Sequence, residues 1–160
     1  NLIHLIVSRG GFVKNLHGEK NMYYQVNAAY FSALGESEEK MLLARALQMF
    51  MPGKPQVWYL DLLEGKNDHE AVKRAGFGGH KEINRTNLTR EEVESALSKD
   101  SVKKQLELIR FRSTFGAFGE GAEISVKESE GTFWIRWENQ GCFAELTADF
   151  FRGSYEVNHN

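Results

Sequence analysis

Residues Ser37–Leu60 read SEEKMLLARALQMFMPGKPQVWYL: an apolar helix, a proline-glycine stop and a short run of strand formers. Ser37 is a suitable N-cap, and Glu38 and Glu39 place carboxylates at the positive end of the helix. Met41 to Phe50 is apolar around most of the helical circumference, which predicts a largely buried helix over 38–51. Pro52-Gly53 stops it. Gln56-Val57-Trp58-Tyr59-Leu60 then predicts a buried strand, so the stretch reads as the αβ half of an α/β unit.

Working outward, Asn1 to Gly35 keeps neither helical nor strand period for long and predicts loop with short helical or extended pieces. On the other side, Asp61 to Asn87 is polar, irregular and rich in glycine. Thr89-Arg90-Glu91-Glu92 fits a capping box and predicts a helix over 90–97. A second helix is expected over 101–112, with Val102, Leu106 and Ile109 on one stripe. Past Phe118 the period becomes two: Ile124 and Val126, then Phe133, Ile135 and Trp137, then Ala144, Leu146 and Ala148. Glu128–Gly131 and Glu138–Gly141 supply turns, which predicts an antiparallel meander. The shift near residues 116–121 suggests a boundary between an α/β part and an all-β part.

Composition narrows the function. The 160 residues are 26% charged and 41% hydrophobic, with a formal charge of −2, which excludes disordered and fibrous classes. No basic field exists to hold a phosphate backbone, so a nucleic-acid partner is not expected. The single cysteine, Cys142, excludes an internal disulfide and a multi-cysteine zinc site. Leu2 to Val7 is too short for a membrane span and lacks a basic head, so a soluble, cytoplasmic protein without a membrane partner is expected. The chain starts at Asn1 rather than methionine, and we expect a piece of something longer.

Candidate chemistry is sparse. Asp61 follows the expected strand, where α/β barrels place active-site groups, and Glu64, Asp68 and Glu82 lie beyond it. Taken singly, each reads as a solvated loop carboxylate. The histidines His4, His17, His69, His80 and His159 lack ligand spacing, so no metal is expected. Cys142 reads as a small buried hydrophobe on a strand. Gly76-Phe77-Gly78-Gly79-His80-Lys81 lacks the Gly-Lys-Ser/Thr ending of a P-loop and reads as loop. Tyr23-Tyr24 with Gln25 and Asn27 suits sugar recognition, through aromatic stacking and amide hydrogen bonds, although core packing is the leading expectation from the residues alone.

Tyr24-Gln25-Val26-Asn27-Ala28-Ala29-Tyr30-Phe31-Ser32-Ala33-Leu34-Gly35 closely resembles a stretch of the sucrose phosphorylase group of the alpha-amylase superfamily. Leu43–Ala46, Pro52–Tyr59, Gly65-Lys66-Asn67-Asp68, Ile83-Asn84-Arg85 and Ile109–Arg112 follow in the order of that family. The resemblance implies the C-terminal segment of a (β/α)₈ barrel over 1–117, followed by a small antiparallel β domain over 118–160. Residues 1–35 would follow barrel strand seven, 38–51 would be helix seven and 56–60 strand eight. It also implies transfer of a glucosyl group, with retention, from sucrose or a related glucoside to inorganic phosphate, without a cofactor. The family's nucleophile, general acid and transition-state aspartate match nothing here, so no catalytic residue is assigned to this chain. Arg85 matches the arginine that helps hold the glucosyl unit, and Tyr24 and Gln25 match the mobile acceptor loop. Met22 stands where plain sucrose phosphorylases carry a fructose-binding aspartate, and Thr86-Asn87 replaces a histidine-tyrosine pair. These departures imply an anionic acceptor, such as sucrose 6′-phosphate or a glucosylated glycerate, with Lys20 and Lys81 as candidate sources of positive charge. The rival expectation is a non-catalytic carbohydrate-binding or structural module.

Overall fold

A computed structural model of the chain describes residues 1–15 and 23–160. In chain order the elements are α1 (Leu2–Ser8), β1 (Phe12–Asn15), β2 (Tyr23–Asn27), α2 (Tyr30–Ala33), α3 (Glu38–Phe50), α4 (Tyr59–Leu62), α5 (His69–Ala75), a 3₁₀ helix over Gly79–Asn84, α6 (Arg90–Ser98), α7 (Asp100–Thr114), a 3₁₀ turn over Gly116–Phe118, and β3 (Glu123–Ser129), β4 (Thr132–Asn139), β5 (Cys142–Asp149) and β6 (Ser154–His159). They form two compact units, Asn1–Ser37 with Val57–Lys99, and Glu38–Gln56 with Asp100–Asn160.

In the first unit, β1 and β2 pair antiparallel, with Phe12 opposite Asn27 and Lys14 opposite Gln25. The loop expected before Gly35 therefore contains a hairpin. Helix α6 starts as its sequence predicts: the Glu92 N–H donates to Thr89 Oγ1 (3.2 Å) and the Thr89 N–H to Glu92 Oε2 (2.7 Å).

The strand expected over 56–60 is absent. Residues 54–58 have no regular structure and the chain turns into α4, leaving Trp58 48% and Tyr59 38% exposed. A buried parallel strand needs hydrogen-bonded neighbours and covered faces, and among the described residues no strand pairs with this segment. The β-formers instead act through their side chains. Trp58 Nε1 donates to the Asn84 carbonyl (3.0 Å) and Tyr59 Oη to the Thr86 carbonyl (2.7 Å).

In the second unit, α3 buries Met41, Leu43, Ala46, Met49 and Phe50. It also buries Arg45, whose Nε donates to Gln105 Oε1 of α7 at 3.0 Å; paired polar groups of this kind tolerate burial. The meander is antiparallel in the order β3-β4-β5-β6. Ile135, Trp137, Ala144, Leu146 and Ala148 line its buried face as the alternation predicts. The fourth strand, β6, goes beyond the three apolar sets read from the sequence; only Tyr155 and Val157 of its six residues turn inward. Here α3 and α7 pack with the sheet, and the change of period near 116–121 marks the passage from α7 to β3.

Candidate functional site

Two pieces of the first unit make an open cleft of about 260 Å³. One wall is β2, which contributes Gln25 and Asn27, two residues apart and so on one face of the strand. The other carries Lys81, Asn84 and Arg85, from the 3₁₀ helix and its C-cap, with Trp58 alongside. The glycine-rich segment shapes this second wall. Gly78 caps the 3₁₀ helix in a left-handed conformation (φ 84°) that a residue with a Cβ rarely adopts.

Arg85 is held from both sides along its backbone, because the neighbouring Asn84 and Thr86 carbonyls accept from Trp58 and Tyr59. Its Nη1 lies 3.6 Å from Glu82 Oε1, with both side chains about half exposed. Such a pair is worth about 0–1 kcal/mol, so the guanidinium can exchange Glu82 for a ligand oxygen at small cost. The cleft is thus lined by two cations and three amides beside an indole, a donor-rich surface suited to the oxygens of a sugar or an anionic sugar.

Gly65–Asp68 supports both walls. Asn67 accepts the Ala29 N–H on Oδ1 (2.7 Å) and donates from Nδ2 to the Arg9 carbonyl (3.1 Å). The Asp68 N–H donates to the Ile83 carbonyl (2.9 Å), and Asp68 Oδ2 accepts from Thr86 Oγ1 (3.1 Å). The Ala71 N–H, foremost, holds the Asp68 carboxyl below the usual carboxylate range, with Thr86 and Arg74 adding to the effect. Gly65 packs too closely for any larger residue, since a Cβ there would lie 2.2 Å from Leu60 Cδ1.

The structure thus brings Gln25 and Arg85 together, with Lys81 beside them. Tyr24 lies in β2 next to Gln25. Met22 and Lys20 lie outside the described residues. Three carboxylates have structural partners. Asp61 is a residue of α4, and its Oδ1 accepts the Tyr30 N–H (3.0 Å) at the start of α2. Asp68 caps α5. Glu64 departs from the expectation of a solvated carboxylate: its side chain is fully buried, 3.4 Å from Lys99 Nζ, because the chain turns there with φ 57°. Asn27 is one of the amides read as suited to sugar recognition, whereas Asn84 and Trp58 are lining residues that the motif reading left without a role. Hydrogen bonding across sequence-distant segments brings them together, and no local pattern reports that. No cluster of His, Cys, Asp and Glu among the described residues could hold a metal. None of the helices described is long and apolar enough to cross a membrane.

No protein-family model matches the chain. It is 49% identical, over an alignment of 161 positions that takes in 99% of its length, to the sucrose 6(F)-phosphate phosphorylase of Ilumatobacter coccineus, of which it covers 31%. The sucrose phosphorylase of Agrobacterium vitis is 40% identical over 84% of the chain, which covers 27% of that protein. The crystal structure of sucrose 6F-phosphate phosphorylase from Thermoanaerobacter thermosaccharolyticum superposes with a TM-score of 0.91 over 99% of this chain and 32% of that one, at 33% identity. Along nearly its whole length the chain is similar to enzymes of the sucrose phosphorylase group. It spans about a third of the length of these phosphorylases. The similarity runs through both compact units, so the cleft and the meander lie within the matched region.

Proposed function

We propose that this chain is the acceptor-side, C-terminal part of a cytoplasmic glucosyl phosphorylase of the alpha-amylase superfamily. Residues 1–117 complete a (β/α)₈ barrel, in which 56–60 gains the strand neighbours it lacks here, and 118–160 form the appended β domain. The longer enzyme breaks the glucosidic bond of a phosphorylated sucrose and passes the glucosyl group to inorganic phosphate, giving glucose 1-phosphate. Retention needs a carboxylate nucleophile about 5–5.5 Å from a carboxylic acid, and that pair belongs to the part of the enzyme outside this chain. Arg85 holds the glucosyl unit, while Tyr24 and Gln25 serve the acceptor. The single observation that carries the reading is the convergence of Gln25, Lys81 and Arg85 on one cleft. Two cations there suit an anionic acceptor, and methionine at position 22 neither hydrogen-bonds a neutral fructosyl unit nor repels a phosphate.

The test compares kcat/KM for sucrose and sucrose 6′-phosphate in the longer phosphorylase, its Met22→Asp variant and its Arg85→Ala variant. The parent should prefer the phosphorylated substrate, and Met22→Asp should move preference toward sucrose. Arg85→Ala should lower kcat/KM on the order of 100-fold or more with little loss of stability. A parent that prefers plain sucrose tenfold, or an Arg85→Ala variant with full turnover, would overturn the assignment. The 160-residue chain alone should yield no glucose 1-phosphate from sucrose and phosphate.

A further inference from the structure

Asn27 carries a question that Gln25 and Arg85 do not answer. It is only 4% exposed and lines the cleft, yet its Nδ2 is buried without a hydrogen-bond partner among the described residues. A buried amide donor left unmade costs its whole desolvation penalty, and native structures seldom leave one without a reason. Local adjustment of the backbone offers little relief. Asn27 stands opposite Phe12 in the hairpin ladder, and its carbonyl lies 3.1 Å from where a Cβ of Gly11 would be. Two residues on, the Ala29 N–H is fixed by Asn67 Oδ1. The side chain is therefore delivered to the cleft by a fixed strand, while its own χ2 remains soft enough to turn the amide.

We propose that Asn27 is a further ligand-binding residue of this site, its Nδ2–H donating to an oxygen of the acceptor sugar or of its phosphate. The inference rests on the function proposed above. Strand alternation puts Gln25 and Asn27 on the same face, so the two amides meet the ligand side by side. Lys81 and Arg85 stand on the opposite wall. An oxygen placed among them satisfies Asn27 and meets two positive charges. Binding removes the unpaired-donor penalty, so Asn27 contributes to affinity while lowering the stability of the protein without ligand.

That trade separates the proposal from a structural role. Asn27→Leu, made in the longer phosphorylase, removes the donor together with its penalty. Melting temperature without ligand should hold or rise, whereas a structural amide would lose it. In the synthetic direction, with saturating glucose 1-phosphate, KM for the acceptor should rise at least tenfold with kcat within threefold. Fructose and fructose 6-phosphate are the two probes. A rise for both assigns the bond to a sugar hydroxyl, and a rise for fructose 6-phosphate alone assigns it to the phosphate. Asn27→Asp, nearly isosteric, serves if the leucine variant does not fold, and should raise KM most for fructose 6-phosphate. An acceptor KM within twofold of the parent in a folded variant would overturn the inference while leaving the proposed function standing. A parent that turns over neither acceptor would overturn both.

Discussion

Trp137 offers the sharpest test of how the second unit is held together. Phe50 is the last residue of α3, so its carbonyl has no partner within the helix. Trp137 Nε1 donates to it at 2.7 Å, and the carbonyl's residue is fully buried. The indole also packs edge-on to Phe118, with centroids 5.5 Å apart, and lies 4.3 Å beneath the Arg112 guanidinium. Trp137→Phe keeps much of the ring but leaves the Phe50 carbonyl buried and unpaired, a loss of about 1–3 kcal/mol. Trp137→Ala adds the cavity left by a large aromatic, typically about 3–5 kcal/mol, for a combined loss of about 4–8 kcal/mol. Such a loss approaches the whole stability of a small domain, about 5–15 kcal/mol. The assay is urea unfolding of the chain followed by far-ultraviolet circular dichroism, with both variants compared at fixed m-value. If Trp137→Phe costs under about 0.5 kcal/mol, the cap on α3 contributes nothing. If alanine costs no more than phenylalanine, the packing argument fails.

Two further outcomes are expected in the first unit. Asn67→Ala removes two hydrogen bonds and leaves the N–H of fully buried Ala29 without its partner, a loss of about 2–4 kcal/mol in urea unfolding; a change below about 1 kcal/mol would show that the segment is held otherwise. Asp68→Ala should cost about 0.5–2 kcal/mol at neutral pH as a lost helix cap. Because the Asp68 carboxyl titrates lower folded than unfolded, its stabilising contribution is complete above the ordinary value near 3.9 and disappears as pH falls through the folded value. The stability gap between parent and variant should narrow on acidification below about pH 4, and a gap that stays constant would refute the charge's role.

Much of this architecture is legible in local sequence because its causes are local. The capping box at Thr89–Glu92, the apolar circumference of α3 and the alternation along β4 and β5 each reflect forces acting within a few residues. Where partners are distant, the reading fails in a consistent way. Val57-Trp58-Tyr59 has the composition of a strand, but a strand exists only with neighbours, and here the same aromatics hold Asn84 and Thr86 through their polar tips. Glu64 looks like a solvated loop carboxylate because nothing nearby reports that Lys99, thirty-five residues on, will meet it. β6 escapes notice because two inward residues are too few to set a period. In the site, residue chemistry singles out Gln25 and Asn27 as amides, yet their company with Lys81 and Arg85 follows from the tertiary fold.

The two walls of the cleft are joined by neighbours that do not line it. Asn67 binds the hairpin side through the Arg9 carbonyl and the Ala29 N–H. Asp68 binds the other side through the Ile83 carbonyl and the Thr86 hydroxyl. Asn67-Asp68 therefore helps to set how far Gln25 and Asn27 stand from Lys81 and Arg85. The chemistry of the lining and the width of the cleft are then controlled by different residues. Under the proposed function, a change such as methionine for aspartate at position 22 alters what the acceptor meets while the spacing of the walls stays as Asn67 and Asp68 fix it. Changes at Asn67 would do the reverse, altering the fit of every acceptor without favouring a charged one. Under that reading, selectivity between acceptors can shift by single substitutions, because the side-chain hydrogen bonds of Asn67 and Asp68 that join the walls use none of the lining side chains.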